Sequence, residues 1–384
     1  MIRVGIALES TWLGGVSYYR NLLHAIAALP DRRIEPVLLI GQLAPDAILA
    51  GFPPVEVIRT GLLDRRSPSW LVRRGLQQAF ARDPLLESLL HHHGVDVLSH
   101  SGILGRSSTI PAICWIPDFQ HREMPQFFTR PQRWYRDASL RLQCDHAARL
   151  ILSSEDARRA LTSFRPSAVA RSRILRFVAQ PDLSGHPTDR LTLERRYEFA
   201  GEYLHVPNQL WAHKNHGLIL KALALLRGSG ETPPLVLSTG PTEDYRQPGY
   251  FERLMGEART LGVADSFRVL GVIPRDDLVG LMIHSVALLN PSRYEGWSTS
   301  VEEAKSLGKR IILSDLLVHR EQAAPDAVYV DPDDSKGLAT AMRVALTTSD
   351  QETERLRQER ARRDFPGRVQ AFARTFESIV IDVS

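Results

Sequence analysis

Pro291-Ser-Arg-Tyr-Glu-Gly-Trp-Ser-Thr-Ser-Val-Glu-Glu-Ala-Lys-Ser-Leu-Gly-Lys-Arg-Ile-Ile-Leu-Ser-Asp315 reads as loop, helix and strand in one stretch. Gly296, beside Glu295, lets a backbone approach a ligand closely. Ser298, Thr299 and Ser300 are three candidate N-caps for the helix that follows. Such a helix start presents free N–H groups and the positive end of a dipole, which suits a diphosphate. Glu303 comes eight positions after Glu295, Gly308 reads as the helix stop, and Ile311 to Leu313 as a buried strand. Two readings stand. Either the two carboxylates and the helix start form a nucleotide-sugar site, or the spacings Thr299–Glu302 and Ser300–Glu303 are capping boxes that close a helix end.

Around this stretch, strand-like runs alternate with helical patterns. Arg3 to Leu8, Pro36 to Ile40, Val95 to Leu98, Ala112 to Ile116, Leu150 to Leu152 and Ile174 to Val178 read as strands. Helices are expected over Val16 to Leu29, Trp70 to His92 and Pro131 to Ala147. Further strands are expected near Tyr203 to Val206, Leu235 to Ser238, Phe267 to Leu270, Ala287 to Asn290 and Arg310 to Leu313. This rhythm predicts an α/β protein with doubly wound parallel sheets. The polar stretch Gln180 to Arg196, with Pro181, Gly185 and Pro187, is the expected linker. The expected division is 1–180, a linker at 181–200, 201–365, and a C-terminal helical segment at 366–384.

A chain of 384 residues is long for one core and points to two domains. Hydrophobic content of 43% and charged content of 24% are those of a globular protein, not a disordered or fibrous one. No apolar run approaches the roughly 20 residues that span a bilayer. The start, Met1-Ile-Arg-Val-Gly-Ile-Ala-Leu8, reads as a buried strand, not a signal peptide. Cys114 and Cys144 give neither a disulfide framework nor a zinc pattern, so a cytoplasmic location is expected. The formal net charge is +4, and the cations are nearly all arginine; Lys214, Lys221, Lys305, Lys309 and Lys336 are the only lysines. No nucleic-acid motif accompanies this charge, and no nucleic-acid partner is expected.

The opening stretch is similar to the Glu-x7-Glu element of family 4 retaining glycosyltransferases, whose usual form is Glu-Gly-Phe-x5-Glu-Ala. Trp297 stands in for the Phe, and Glu303-Ala304 closes the pattern. The resemblance covers most of the chain and implies the GT-B architecture: two Rossmann-like domains facing a central cleft. It implies donor binding by the C-terminal domain and acceptor binding by the N-terminal domain. It also implies a last helix, Gly367 to Ile379, that crosses back to the first domain. Glu295 would then hold the transferred sugar, and Gly296, Trp297, Ser298 and Thr299 the diphosphate. Glu303 would bind the ribose.

His205-Val-Pro-Asn-Gln-Leu-Trp-Ala-His-Lys-Asn-His216 follows a strand and opens a helix, placing the Lys214 ammonium where leaving-group charge develops. Family members usually carry an Arg five positions before this Lys; Gln209 stands there, so one phosphate cation is missing. The Asn-Gln-x-Trp-x-His-Lys-Asn form looks like that of some bacterial surface-polysaccharide transferases, and His213 is a candidate to compensate. Gly14-Gly15 follows the first strand and is placed like the family's glycine-rich phosphate or acceptor loop; a plain turn is the other reading. In Trp115-Ile-Pro-Asp-Phe-Gln-His121, Asp118 matches the Asp of the family's His-Asp pair, and Pro117 stands where the His would be. His121 is the alternative imidazole, for acceptor deprotonation or sugar binding, against a purely structural role. Main-chain groups near Val272 and Ile273 match the family's base-reading segment.

Three features carry no site. Asp331-Pro-Asp333 precedes a helix near Ser335, with Asp333 or Asp334 as its N-cap. His91-His92-His93 ends a helix before Gly94. The run Arg355 to Arg363 reads as a solvated helix face. No metal and no cofactor are expected beyond a GDP- or UDP-linked sugar as co-substrate. The expected reaction is metal-independent retaining transfer of a hexose, mannose among the candidates, to a glycan or lipid-linked acceptor in cell-surface polysaccharide synthesis. A nucleotide-sugar epimerase or hydrolase, and a non-catalytic glycan or nucleotide binder, are the rivals. Asp64-Arg-Arg-Ser-Pro-Ser-Trp-Leu-Val-Arg-Arg74 alternates cations with apolar residues, which makes a weak peripheral contact with an anionic membrane a further expectation.

Overall fold

Residues 1–8, 13–179 and 186–384 are described in the computed structural model. The chain divides into two compact units, Met1–Val178 with Pro366–Ser384, and Ala179–Phe365. Each is built on a sheet in which all pairings are parallel, as the strand–helix alternation predicts.

The first sheet comprises β1 (Ile2–Ala7), β2 (Ile34–Gly41), β3 (Glu56–Thr60), β4 (Val97–Ser99), β5 (Ala112–Ile116), β6 (Arg149–Leu152) and β7 (Ser172–Ile174). Their order is β3-β2-β1-β4-β5-β6-β7, so the winding reverses between β1 and β4. Val37 to Ile40 are fully buried, which explains why the central strands read as unbroken apolar runs. Two expectations need correction. The helix expected over Trp70 to His92 is two helices, Pro68–Phe80 and Pro84–His92. Ala81 is left-handed (φ 51°), Asp83 caps Leu86 N, and Pro84 opens the second helix, so the apolar periodicity hid a break. The strand expected over Ile174 to Val178 lies earlier, at Ser172–Ile174.

The second sheet comprises β8 (Tyr203–Val206), β9 (Leu235–Thr239), β10 (Phe267–Gly271), β11 (Ala287–Asn290), β12 (Ile311–Ser314) and β13 (Val328–Val330). Its order is β10-β9-β8-β11-β12-β13, reversing between β8 and β11. Successive strand residues feed opposite cores. Leu289 and Ile312 pack with the helices His216–Gly228 and Ser335–Thr347, whereas Leu288, Ile311 and Leu313 pack with Val301 and Ala304 of the helix Thr299–Leu307. That period of two is the mark of a sheet covered on both faces.

Of the expected linker, Gln180–Gly185 lies outside the described residues. Its later part forms the helix Arg190–Arg196, which is clasped to the second unit. The buried Asp277 accepts from Thr188 Oγ1 (2.6 Å), Arg196 Nη1 (2.6 Å) and the Tyr197 hydroxyl (2.5 Å). The last helix is long, Gln351–Ile381, and contains Pro366, where the division between the units falls. Its final turns bury Phe372, Phe376 and Ile379. Within the first unit, Glu377 accepts from Arg33 N and Asp382 from Arg149 Nε. Cys114 and Cys144 are free thiols in one buried cluster, and burial pushes both up to about 12, leaving them inert.

Candidate active site

Open parallel sheets bind ligands outside the carboxyl ends of their strands, where the strand order reverses. In the second unit that place lies between β8 and β11, and the loops leaving these strands carry Lys214 and Glu295. Lys214 Nζ donates to Glu295 Oε1 at 2.7 Å, and each residue is only 8% exposed. The same oxygen accepts from Ser292 Oγ (2.7 Å) and Asn290 Nδ2 (3.4 Å). Burial alone would raise the Glu295 carboxyl. The Lys214 ammonium, seconded by His319, overcomes it and holds the group at about 2. A fixed negative charge thus sits at the sheet edge, oriented by three donors. Asn215, left-handed at φ 61°, turns the chain after Lys214 and donates to Pro291 O and Pro332 O, tying the two loops together.

The helix Thr299–Leu307 starts beside this pair. Ser298 is its N-cap residue but makes no side-chain cap. Its hydroxyl accepts from Asn290 Nδ2 (2.9 Å) instead, while Gln322 brackets its main chain through Oε1 to Ser298 N (3.3 Å) and Nε2 to Ser298 O (3.0 Å). Neither glutamate closes a capping box. Glu302 is bound to Lys305 and Gln322, and Glu303 to Arg275 at 2.6 Å. First-turn N–H groups have no acceptor within their own helix, so this start keeps the character of an anion site. Gly308, at φ 68°, ends the helix where an added Cβ would lie 2.6 Å from Arg357 O.

The remaining candidates of this unit are arranged around the same strand ends. Gln209 is half-buried on the β8 loop, Gly296, Trp297 and Thr299 are half-buried on the β11 loop and helix start, and Val272 is exposed beyond β10. Ile273 packs beside the cluster of Leu193, Phe199 and Tyr203. Sequence reasoning missed Asn290, Ser292, Arg275, Gln322 and Arg246. The first two were legible as polar residues closing an apolar strand; the others come from loops whose approach only the fold reveals.

In the first unit, Gly14 and Gly15 correct an expectation. They lie in the first turn of the helix Leu13–Ala27, not in a turn ahead of it, and residues 9–12 lie outside the described residues. Asp118 follows β5, and its Oδ1 accepts from Gln120 N at 2.9 Å, holding the short turn Gln120–Glu123. His121 is 2% exposed; its Nε2 meets Asp137 Oδ1 at 2.9 Å, and its Nδ1 is buried without a partner. Burial lowers its pKa although Asp137 acts to raise it.

Of the decoys, Asp334 caps its helix through Gly337 N, and Asp333 pairs with Arg293. His91 and His92 lie in the last turn of their helix ahead of Gly94 (φ 61°). Among the described residues no three His, Cys, Asp or Glu side chains group to hold a metal ion, and no helix is long and apolar enough to cross a membrane.

Solved structures share this architecture over the whole chain. Anabaena Alr3699/HepE in complex with UDP is 16% identical, with a TM-score of 0.69 and 100% of each chain covered. A glycosyltransferase from Rickettsia africae ESF-5 is 12% identical, with a TM-score of 0.68, covering 100% of this chain and 97% of that one. Sucrose-phosphate synthase (tll1590) from Thermosynechococcus elongatus is 14% identical, with a TM-score of 0.66, covering 100% and 95%. The two parallel-sheet units therefore have the GT-B fold of glycosyltransferases. Within the second unit, residues 201–364 match the family model of glycosyl transferases group 1. No curated protein sequence matches the chain.

Proposed function

We propose that this protein is a retaining, metal-independent glycosyltransferase that moves a hexose from a nucleoside diphosphate sugar to a glycan or lipid-linked acceptor. The observation that carries the reading is the buried Lys214–Glu295 pair at the reversal of the second sheet, beside an uncapped helix start. Lys214 and the helix N–H groups from Thr299 onward stabilise the departing diphosphate, where negative charge grows in the transition state. Glu295, kept ionised, binds hydroxyls of the sugar and stabilises positive charge at its reacting carbon. Glu303 and Arg275 face the ribose, and main-chain groups at Val272 and Ile273 read the base. Gly14, Gly15, Asp118 and His121 serve the acceptor side. Mannose is the first sugar to test, with cell-surface polysaccharide as the product class. GDP- and UDP-linked donors are both assigned to the screen, the latter because the similar Anabaena protein was solved with UDP.

Glu295→Gln tests the reading, with product formation followed by mass spectrometry across GDP- and UDP-hexoses and candidate acceptors. The variant should still bind nucleotide, with Lys214 freed from its carboxylate partner, and lose turnover at least a hundredfold. Unchanged turnover would remove Glu295 from the mechanism. Sugar release or isomerisation without any acceptor would instead favour the hydrolase or epimerase.

An anionic membrane surface is proposed as a weak partner on the cytoplasmic side. Arg74 Nη2 donates to the Tyr135 hydroxyl (2.7 Å), joining the Trp70–Arg74 segment, whose Arg73 is buried on Asp83, to a helix that displays Trp134 and Arg136, with Trp134 71% exposed. Cations interleaved with Trp and Tyr suit an anionic lipid interface. Vesicles of mixed neutral and anionic lipid should carry the protein in flotation at physiological salt; absence of co-migration would remove this partner.

A further inference from the structure

A diphosphate brings more negative charge than Lys214 can match, since that ammonium is already partnered by Glu295 at 2.7 Å. Gln209, on the same loop, adds none. A second cation, which sequence reading did not single out, lies next to this loop. Arg246 sits on the connection leaving β9, the strand beside β8, and its side chain is 4% exposed. Its guanidinium lies over the Trp211 ring (4.8 Å to the centroid) and near that of Tyr245 (5.4 Å), and Nη2 donates to His213 Nδ1 at 3.3 Å. Asp244 forms a buried ion pair with it, 3.6 Å from Arg246 Nε, and its oxygens also accept from Ala212 N and Arg246 N, each at 3.0 Å, which fixes the loop around the guanidinium.

Two consequences follow. An arginine only donates, so His213 Nδ1 is the acceptor and the imidazole carries its proton on Nε2. Burial, aided by the neighbouring Lys214 and Arg246, pushes His213 to about 3, so the ring stays neutral between two cations. The ring, one residue before Lys214, thus holds the Arg246–Asp244 pair against this loop without adding a charge of its own. Stacking on an aromatic face and a planar fork preorganise a guanidinium for phosphate oxygens.

We propose that Arg246, held by Trp211 and His213, is a diphosphate-binding residue of the donor site and supplies positive charge that position 209 does not. This rests on the nucleotide-sugar reading above. Calorimetry with UDP, GDP, inorganic pyrophosphate, uridine and guanosine tests it, on the wild type, Arg246→Met and Arg246→Lys. Arg246→Met should weaken pyrophosphate and whichever nucleotide binds at least tenfold, while the matching nucleoside changes less than twofold. Arg246→Lys, which keeps the charge but not the stacked planar fork, should fall between the wild type and Arg246→Met for the diphosphates. A purely structural Arg246 would weaken nucleoside and diphosphate alike, or leave both unchanged in Arg246→Met, and either result overturns the proposal. If Arg246→Met fails to fold, Arg246→Lys decides: a folded Lys variant that loses diphosphate affinity threefold or more while the matching nucleoside changes less than twofold supports the proposal, and equal change or no change in both overturns it. Failure of the wild type to bind UDP, GDP or pyrophosphate would instead bring down the donor-site reading itself.

Discussion

The two sheets share a winding pattern and differ in what occupies the point where it reverses. Between β8 and β11 the side chains are ionic: Lys214 with Glu295 at 2.7 Å, and Arg246 beside His213. At the β1–β4 reversal the described residues Tyr18, His100 and Trp115 bring aromatic rings together. The Tyr18 hydroxyl meets His100 Nε2 and Ser99 Oγ meets His100 Nδ1, both at 2.8 Å, and Tyr18 stacks on Trp115 at 4.1 Å. Burial takes His100 to about 3, so this network is neutral at physiological pH. Topology selects the place where a ligand binds, and the loops select its chemistry. A fixed field of charge suits a diphosphate; rings and neutral donors suit a hydroxyl-rich molecule. That is the division which the proposed donor and acceptor roles require.

The largest test of this contrast removes one charge. Lys214→Met leaves the Glu295 carboxylate buried without its cation, and breaking a buried pair in this way costs about 3–5 kcal/mol. The loss should be confined to the second unit in hydrogen exchange and should recover largely in Lys214→Met/Glu295→Gln, where no orphan charge remains. A urea midpoint unmoved by Lys214→Met would show that the pair is solvent-screened and that the ionic description of this site is wrong.

Acid separates the units next. His205, His213 and His216 of the second unit are each lowered to about 3, chiefly by burial, against His100 alone at that level in the first. A histidine with a depressed folded pKa stabilises fully above its ordinary value of 6.5. It loses that contribution as pH falls from there towards 3, because the unfolded chain takes up the proton first. Each such group contributes a slope of about 1.4 kcal/mol per pH unit inside this window. With His284 and His319 also lowered in the second unit, and His121 and His146 in the first, the second unit should weaken more steeply between pH 6 and pH 4. Glu295, also depressed, adds its own loss only below about 4.5, as pH falls towards 2. Hydrogen exchange at pH 7, 6 and 5 that shows parallel loss in both units would contradict the assignment of these rings as neutral.

Much of this contrast was legible in residue order, and its limits have physical causes. Ala112–Ile116, Tyr203–Val206 and Ala287–Asn290 were read with both ends correct, because a strand buried on both faces is an apolar run. β3 (Glu56–Thr60) and β13 (Val328–Val330) escaped. Both are edge strands, the first with Glu56, Arg59 and Thr60 among its residues and the second only three residues long. In the candidate site, residue types and spacing pointed to Lys214 and Glu295, but not to their contact at 2.7 Å. The capping-box alternative was equally consistent with spacing. What discards it is largely tertiary: Arg275 engages Glu303 and Gln322 engages Glu302, with Lys305 of the same helix also on Glu302. Arg246 belongs to a loop more than thirty residues beyond His213, so periodicity within a window never brings the two together.

The smallest expected effect concerns the neutral reversal point. Tyr18→Phe keeps the ring stacked on Trp115 and removes only the hydroxyl that meets His100 Nε2. His100 keeps Ser99 Oγ on its other nitrogen, but its buried Nε2 loses the hydroxyl, at a cost of about 1–3 kcal/mol. Because no charge is uncovered, the stability loss should be independent of pH between 7 and 8 and of salt, unlike that of Lys214→Met. Nucleotide and pyrophosphate affinity should stay at wild-type values, since Tyr18 belongs to the first unit and the proposed donor residues to the second. Affinity for acceptor sugars is where a change belongs. Urea unfolding at low and high salt, paired with nucleotide calorimetry, checks both halves: a salt-dependent loss, or weakened diphosphate binding, would mean that the β1–β4 reversal point carries charge after all and that the two sites are less different than their side chains imply.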